Sequence, residues 1–384
     1  MKKQVIVKYW WWFCITTLLA KLAVACLGHN YDIVSWRIAG DLVTEGKNIY
    51  ANTHRYNYAP LWGYLLGGIR AFQQIVFQSQ SIVIFHLLVT FFLSWVDIGI
   101  ALLLRKTYSL KAGFIFLINP VSLLLTGYHA QFDNVAVLLG LWAVINLQKS
   151  AVTKSIVGCA LSLITKHFLL YFLPWLFFNK KHLPLWHRAK IVTLPVVLFV
   201  LSFMPFLINV DAQNAILQHV LGYEFGREYA LLSRGIDKMW AIINPTGEPL
   251  NFNIIKLFYT AIILFLGWMN RRKPLAFMFP FYLLVIIAFA PQLCPQYLAI
   301  PLIAIVVFWK HWPAKVYLIY VFLYLLLDAP SNVGGFFRQW FDDYALYQGI
   351  AKALSGTVAQ LILLLLCWHL MRPVTLVTQR RPIE

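Results

Sequence analysis

Apolar stretches recur along the whole chain and are separated by short polar segments. A spanning helix needs about 20 apolar residues, although spans inside a bundle can be shorter or broken. The pattern predicts about twelve spans, near residues 8–28, 81–104, 112–127, 131–148, 155–166, 168–178, 190–209, 253–270, 275–290, 295–309, 316–328 and 350–371. We therefore predict an all-α polytopic membrane protein whose residues 1–384 form a single domain.

The distribution of charge orients these spans. Lysine and arginine concentrate on the cytoplasmic side of membrane proteins. If residues 155–178 form a hairpin rather than one span, 20 of the 32 basic residues lie on one face and 12 of the 14 acids lie on the other. The two remaining acids are Asp97, inside a span, and Glu384, at the basic face. Both termini are therefore expected in the cytoplasm.

This orientation gives the outer face three longer loops, at residues 29–80, 210–252 and 328–349. In the first loop, apolar residues recur at helical spacing on both sides of Pro60. We expect two amphipathic helices there, lying on the membrane surface. A crossing between Pro60 and Gln78 would carry the basic residues Arg105 and Lys106 to the outer side.

Composition excludes two other classes of protein. The chain is 61% hydrophobic and only 12% charged, which is outside the range of a soluble domain. Its net charge of +18 is spread singly through short loops, so we expect membrane lipids and not nucleic acid as partners. The five cysteines are scattered and predict neither a metal site nor a disulfide framework. The apolar run at Met1–Gly28 lacks a clear cleavage site and is expected to be retained.

Asp32 is the first acid after the first span. A carboxylate at the boundary between water and lipid can accept a proton from an acceptor hydroxyl. Aspartate also caps helix N-termini well, and position alone does not separate the two roles. Asp41 and Glu45, farther along the same expected helix, have the pattern of solvated charges.

Cations at the outer face could hold a phosphate group. Lys166 and His167 lie at the tip of the expected hairpin, where an ionisable group is by default a functional hypothesis. Snorkelling to lipid headgroups is the alternative for Lys166. Arg234 and Arg338 lie in the other two outer loops, where a solvated charge is the alternative to a phosphate ligand.

Two further groups of ionisable residues are less informative. His129 and Asp133 flank a tight turn, but one histidine with one carboxylate is too few ligands for a metal site, so no metal is predicted. They are expected to bind a sugar hydroxyl or the neighbouring loop. Lys21 and Asp97 should lie at different depths at about 1.5 Å of rise per residue, so we expect no direct pairing and a structural role for Asp97.

The motifs D-x-x-x-W-x-x-A, L-x-x-x-G-x-x-x-Y and N-Y-x-P follow one another between Asp32 and Pro60. This stretch resembles the first outer loop of GT-C glycosyltransferases, most closely bacterial relatives of the second mannosyltransferase of GPI-anchor synthesis. More loosely, it resembles the polyprenol-dependent mannosyltransferases of bacteria. Further motifs occur in the family's order over about three quarters of the chain: Asp97, Asn119–Pro120, the G-x-x-x-Q-F-D turn at Gly127–Asp133, Lys166 ahead of Leu173–Pro174, and P-x-Y-x-x-x-P at Pro295–Pro301.

The resemblance implies a GT-C-like bundle and an inverting transfer on the outer face of a bacterial inner membrane. The donor would be a polyprenyl-phosphate hexose, with mannose the leading choice, and the acceptor a lipid-linked molecule or a glycan. It implies Asp32 as the base, with Asp41 and Asp133 as fallback bases, and it implies no cofactor. The residues expected to contact the donor phosphate or the substrates are Lys166, His167, Arg234, Arg338, His129, Gln131 and Tyr58.

Two other functions fit an apolar polytopic membrane protein with loops on the outer face. A flippase or transporter of lipid-linked glycan usually places ionisable groups at the midplane, on broken helices related by repeats. Here the ionisable groups crowd one face and no repeat is visible, which favours the enzyme. An O-antigen polymerase or ligase would depend on outer-loop arginines such as Arg234 and not on Asp32.

Overall fold

The computed structural model describes residues 8–179, 183–222, 228–244, 250–327 and 355–372. These residues are 80% helical, and an all-α fold is confirmed. The α-helices in chain order are α1 (Trp10–Cys26), α2 (Tyr31–Thr44), α3 (Ile49–Asn52), α4 (Pro60–Phe77), α5 (Ile82–Thr107), α6 (Leu110–Leu117), α7 (Pro120–Gly127), α8 (Asp133–Gln148), α9 (Val152–Thr165), α10 (Phe172–Asn179), α11 (Leu185–Leu201), α12 (Val210–Ala215), α13 (Leu231–Ile243), α14 (Phe252–Met269), α15 (Leu275–Ala288), α16 (Leu302–Val307), α17 (Trp312–Leu327) and α18 (Gly356–Met371).

Shorter elements connect several of these helices. Three are 3₁₀ turns, at His167–Tyr171, Met204–Phe206 and Pro295–Ala299, and one is a π-helical turn at Ile216–Leu221. The strands β1 (Glu228–Tyr229) and β2 (Gln292–Leu293) pair antiparallel, so that the segment before α13 lies beside the loop after α15.

Several helices have the length and composition of membrane spans. Within the described residues, three do so alone: Ile82–Thr107, Leu185–Phe206 and Phe252–Met269. The number rises to five if two bent helix pairs, α1 with α2 and α6 with α7, each count as one span. The other apolar helices have 10–17 residues and are shorter than the roughly 30 Å hydrocarbon core requires. The expected bundle of twelve spans is therefore not confirmed.

The two helices expected on either side of Pro60 are confirmed as α2 and α4. α2 lies at 95° to α1, so the chain turns sharply after its first apolar helix. α2 and α4 pack closely because Gly67 has no side chain: a Cβ there would lie 2.3 Å from a methyl group of Val43. Pro60 is the first residue of α4, where its missing N–H costs nothing.

Lys21 of α1 and Asp97 of α5 form a buried salt bridge, so the expectation that they would not pair is wrong. Each residue is only 1% exposed. Helical side chains lean toward the N-terminus of their own helix. Trp10 contacts Arg105 while Lys21 contacts Asp97, so α1 and α5 run in opposite directions. The expectation compared backbone depths alone, and at these two positions the lean of each side chain brings the charged groups together.

We expect Asp97→Asn to destabilise the protein by about 3–5 kcal/mol, because it leaves the buried Lys21 ammonium without a carboxylate. SDS-driven unfolding in detergent micelles would measure the loss, and Asp97→Asn combined with Lys21→Met should recover much of it. Glu45→Gln is the control, since Glu45 pairs with Lys47 while 52% exposed and should change stability by less than about 1 kcal/mol. An Asp97→Asn protein as stable as the wild type would contradict the assigned pairing.

Candidate functional site

The turn between α7 and α8 carries three of the expected site residues. His129, Gln131 and Asp133 lie within five residues and all three are buried. The turn is tight: the backbone N–H of Gln131 donates to the carbonyl of Leu125 at 2.9 Å. Ala130, at its centre, has φ +50°, a left-handed conformation that costs a residue with a Cβ about 1–2 kcal/mol.

The residues on either side of α7 show how the local sequence positions this turn. The Asn119 side chain caps α7 by accepting from the backbone N–H of Val121 at 2.8 Å, and Pro120 fills the first helical position. At the other end of α7, Gly127 approaches α1 so closely that a Cβ would lie 2.9 Å from the carbonyl oxygen of Lys21. The Asn-Pro and the glycine of the motif therefore fix where α7 begins and where it can pack.

Asp32 is not the N-cap of α2. Asn30 is the cap, and its Oδ1 accepts from the backbone N–H of Asp32 at 3.1 Å. Asp32 lies in the first turn of the helix, where the helix dipole favours a negative charge. The capping role that competed with a chemical role for Asp32 is therefore filled by another residue.

The two oxygens of the half-buried Asp32 carboxylate have different surroundings. Oδ2 accepts from the side-chain amides of Asn30 at 3.1 Å and Gln131 at 2.9 Å. Among the described residues, no group donates to Oδ1. Two amides thus fix the carboxylate in orientation, and the second oxygen keeps its lone pairs for another molecule.

Asn30 also determines the tautomer of His129. Because Asn30 Oδ1 accepts from a backbone N–H, its amide nitrogen is the atom that faces both Asp32 Oδ2 and His129 Nδ1, the latter at 3.1 Å. An amide nitrogen only donates, so His129 Nδ1 accepts and the ring proton lies on Nε2. Asp32, Asn30 and His129 therefore form one connected hydrogen-bond network.

Asp133, at the end of the same turn, forms a salt bridge with Lys166. The Lys166 ammonium bonds Asp133 Oδ1, with Asp133 0% and Lys166 12% exposed in their side chains. Asp133 Oδ2 is buried and has no hydrogen-bond partner among the described residues. Three aromatic rings surround the ammonium, those of Tyr297 at 4.8 Å, Phe132 at 5.3 Å and Tyr58 at 5.5 Å from their centroids.

Phe132 links the hydrogen-bond network of Asp32, Asn30 and His129 to the Asp133–Lys166 pair. Its ring stacks on Trp62 of α4, with centroids 4.5 Å apart and planes at 6°. Trp36 of α2 meets it edge-on at 5.8 Å, and Tyr58 does so at 4.7 Å. This aromatic packing fastens the turn between α7 and α8 to the loop at 29–80, and it explains how residues about 100 positions apart share one site.

His167 lies beside Lys166 in the turn between α9 and α10. Burial, together with the neighbouring Lys166 charge, lowers the pKa of His167 to about 4. The imidazole is therefore neutral near pH 7 and can offer a phosphate a hydrogen bond but not a charge. Its ring packs near Phe199, with centroids 6.2 Å apart.

The structure places the remaining expected residues elsewhere. Asp41 is nine residues from Asp32, two and a half helical turns, and pairs with the buried Arg70 of α4. Arg234 is exposed on α13, directly after Ser233, whose hydroxyl donates to the carbonyl of Pro291. Arg338 lies outside the described residues.

Sequence reasoning missed two residues of the site. Asn30 carries a signal in hindsight, because Asn two residues before Asp at the start of an amphipathic helix is a capping pattern. Tyr297 was noticed only as part of a proline motif, and its contact with Lys166 depends on long-range packing. Among the described residues, no three His, Cys, Asp or Glu side chains are grouped to hold a metal ion.

Comparison with models of known protein families gives no match for this chain, and comparison with curated proteins gives none either.

We expect Asn30→Ala to cost more than the loss of an ordinary helix cap. Asn209 caps α12 in the same way, accepting from the backbone N–H of Asp211 at 2.8 Å, so Asn209→Ala is a matched control worth about 1 kcal/mol. Asn30→Ala also breaks the links to Asp32 and His129 and should cost about 1 kcal/mol more in detergent unfolding. Equal losses would contradict the network.

Proposed function

We propose that this chain is an integral-membrane glycosyltransferase. It moves a hexose, with mannose as the leading choice, from a polyprenyl phosphate to a lipid-linked or glycan acceptor, with inversion at the anomeric carbon. The single observation that carries the proposal is the asymmetry of Asp32: one oxygen is held by two amides, and the other faces no protein donor among the described residues. This is the arrangement that a general base needs.

The proposed step is a single displacement. The acceptor oxygen attacks the anomeric carbon, and its proton passes to Asp32 Oδ1. The bond from the anomeric carbon to the phosphate oxygen breaks, and the phosphate leaves with the electron pair. Because a polyprenyl phosphate leaves already ionised, no protonated second acid is needed, in contrast to glycoside hydrolysis. One base is therefore enough, and Asp41 and Asp133 are engaged with Arg70 and Lys166 instead.

Lys166 is the proposed ligand of the donor phosphate. It is the more exposed half of its pair, and it leaves α9 on extended backbone that can present its side chain to a ligand. Donor binding would draw the ammonium from Asp133 toward the phosphate. Asp133, in the first turn of α8, keeps the favourable helix dipole when this happens.

We further propose the membrane arrangement in which this chemistry takes place. The short apolar helices complete a GT-C-like bundle of about twelve spans in a bacterial inner membrane, with both termini in the cytoplasm. α1 crosses the bilayer and α2, at 95° to it, runs along the outer surface with Asp32 at its start. A base at that depth meets both the lipid phosphate and a water-exposed acceptor.

One observation favours a second candidate, a flippase of lipid-linked glycan. The buried Lys21–Asp97 pair is an ionisable group inside the helical bundle, as transporters use. Against this, both carboxylate oxygens of Asp97 are already bonded to protein donors. Flipping of a lipid-linked glycan by proteoliposomes, without sugar transfer, would support the flippase.

We expect Asp32→Asn to lower kcat by about 10²–10⁴-fold, because the variant has no base for the acceptor proton. The assay is transfer from synthetic polyprenyl-phosphate mannose to extracted membrane lipids by purified protein. Asp211→Asn is the matched control: Asp211 is also an acid in the first turn of a helix capped by asparagine, but it is exposed.

Unimpaired transfer by Asp32→Asn would exclude this residue as the base. No transfer by the wild type from any polyprenyl-phosphate sugar would exclude the enzyme class. Loss of activity in Arg234→Ala with normal activity in Asp32→Asn would favour an O-antigen polymerase or ligase.

A further inference from the structure

A single buried carboxylate, that of Asp97 in α5, binds groups from three other helices. Its Oδ2 accepts from Thr126 Oγ1 at 2.6 Å and Ser122 Oγ at 3.1 Å, both on α7, and from the Lys21 ammonium of α1. Its Oδ1 accepts from Asn134 Nδ2 of α8 at 2.6 Å. Burying a carboxylate costs several kcal/mol, and these four donors offset that cost only while all four helices hold their places.

Two of the four donors stand at the two ends of the turn that carries the site. Thr126 directly precedes Gly127, and Asn134 directly follows Asp133. The intervening seven residues include His129, Gln131 and Asp133. One carboxylate therefore holds both ends of this turn at a fixed separation.

The turn needs such a restraint. Ala130 adopts φ +50° although it is not glycine and is fully buried. A conformation of this kind persists only where the surroundings over-determine it. Ala130 directly precedes Gln131, whose amide holds the Asp32 carboxylate at 2.9 Å. Relaxation of Ala130 would move that amide away from Asp32.

We infer that Asp97 is a positioning residue: it clamps both ends of the Gly127–Asp133 turn and thereby holds Gln131 against Asp32 and Asp133 against Lys166. Lys21 supplies the compensating charge. The structural clamp stands on geometry alone, and its effect on catalysis rests on the proposed function. If Asp97 only joined helices, the loss of Thr126 or of Ser122 as a donor would have the same effect on the turn, wherever the donor lies.

The test compares two hydroxyls that bond the same oxygen of Asp97. Thr126 and Ser122 are one turn apart on α7, but only Thr126 adjoins the site turn. Thr126→Val and Ser122→Ala each remove one hydrogen bond to Asp97 Oδ2. Asn134→Ala releases the other end of the turn.

We expect faster hydrogen exchange at the amides of His129 and Gln131 in Thr126→Val and in Asn134→Ala, and wild-type exchange there in Ser122→Ala. In the transfer assay, the first two variants should lose about ten- to a hundredfold in kcat, because they misplace the base. Thr126→Val should change the donor KM little, whereas Asn134→Ala should also raise it, because Asn134 adjoins Asp133, the partner of Lys166. Ser122→Ala should keep the wild-type kcat while losing stability.

Equal exchange and equal kcat in Thr126→Val and Ser122→Ala would overturn the inference. A variant that fails to fold is replaced by Thr126→Ser, which keeps the hydroxyl and should behave as wild type if the hydrogen bond is what matters. If the wild type transfers no sugar, the proposed function fails, but hydrogen exchange still tests the clamp.

Discussion

A charge buried among apolar helices constrains everything packed around it. Four donors, from α1, α7 and α8, stabilise the Asp97 carboxylate in the interior. The hydrophobic effect has no preferred direction, whereas a hydrogen bond depends on the distance and angle between its two groups. The register of the four helices, and with it the placement of the turn between α7 and α8, depends on this carboxylate.

The site has two carboxylates, those of Asp32 and Asp133, and their surroundings suit them to different proposed roles. Asp133 is fully buried and paired with an aromatic-surrounded lysine, so its charge is neutralised in the resting protein. Asp32 is half-buried, is fixed by neutral amides only, and has one oxygen free of described protein donors. A neutral amide orients a carboxylate without satisfying its charge as a cation does. These surroundings support Asp32 as the proposed base and Lys166 as the proposed ligand of the donor phosphate.

Much of the fold could be predicted because it is encoded locally. Most expected runs form a helix close to their predicted bounds, but residues 112–127 form two helices and residues 295–309 a 3₁₀ turn followed by α16. Pro60 and Asn119–Pro120 begin helices as their chemistry requires. The number of membrane spans could not be predicted in the same way, because helices such as α9, with 14 residues, are too short to be assigned as spans from length alone. A bend near Asn119 divides residues 112–127, which the hydropathy pattern predicts as one span, into α6 and α7.

The site was predictable in its members but not in its connections. Motif spacing brought forward Asp32, Gln131, Asp133 and Lys166, yet their pairings join residues 33–99 positions apart and depend on how helices pack. The Lys21–Asp97 pair was missed because backbone depth was considered without the lean of the side chains. Asn30 was missed because the cap of this helix was sought at Asp32, two residues later.

The central claim is that one base, Asp32, drives a single displacement at the sugar carbon. The most direct measurement is the anomeric configuration of the product, determined by nuclear magnetic resonance after transfer from a polyprenyl-phosphate sugar of defined configuration. A single displacement gives the configuration opposite to that of the donor. Retention would require a covalent glycosyl intermediate or a second displacement, and it would contradict the account.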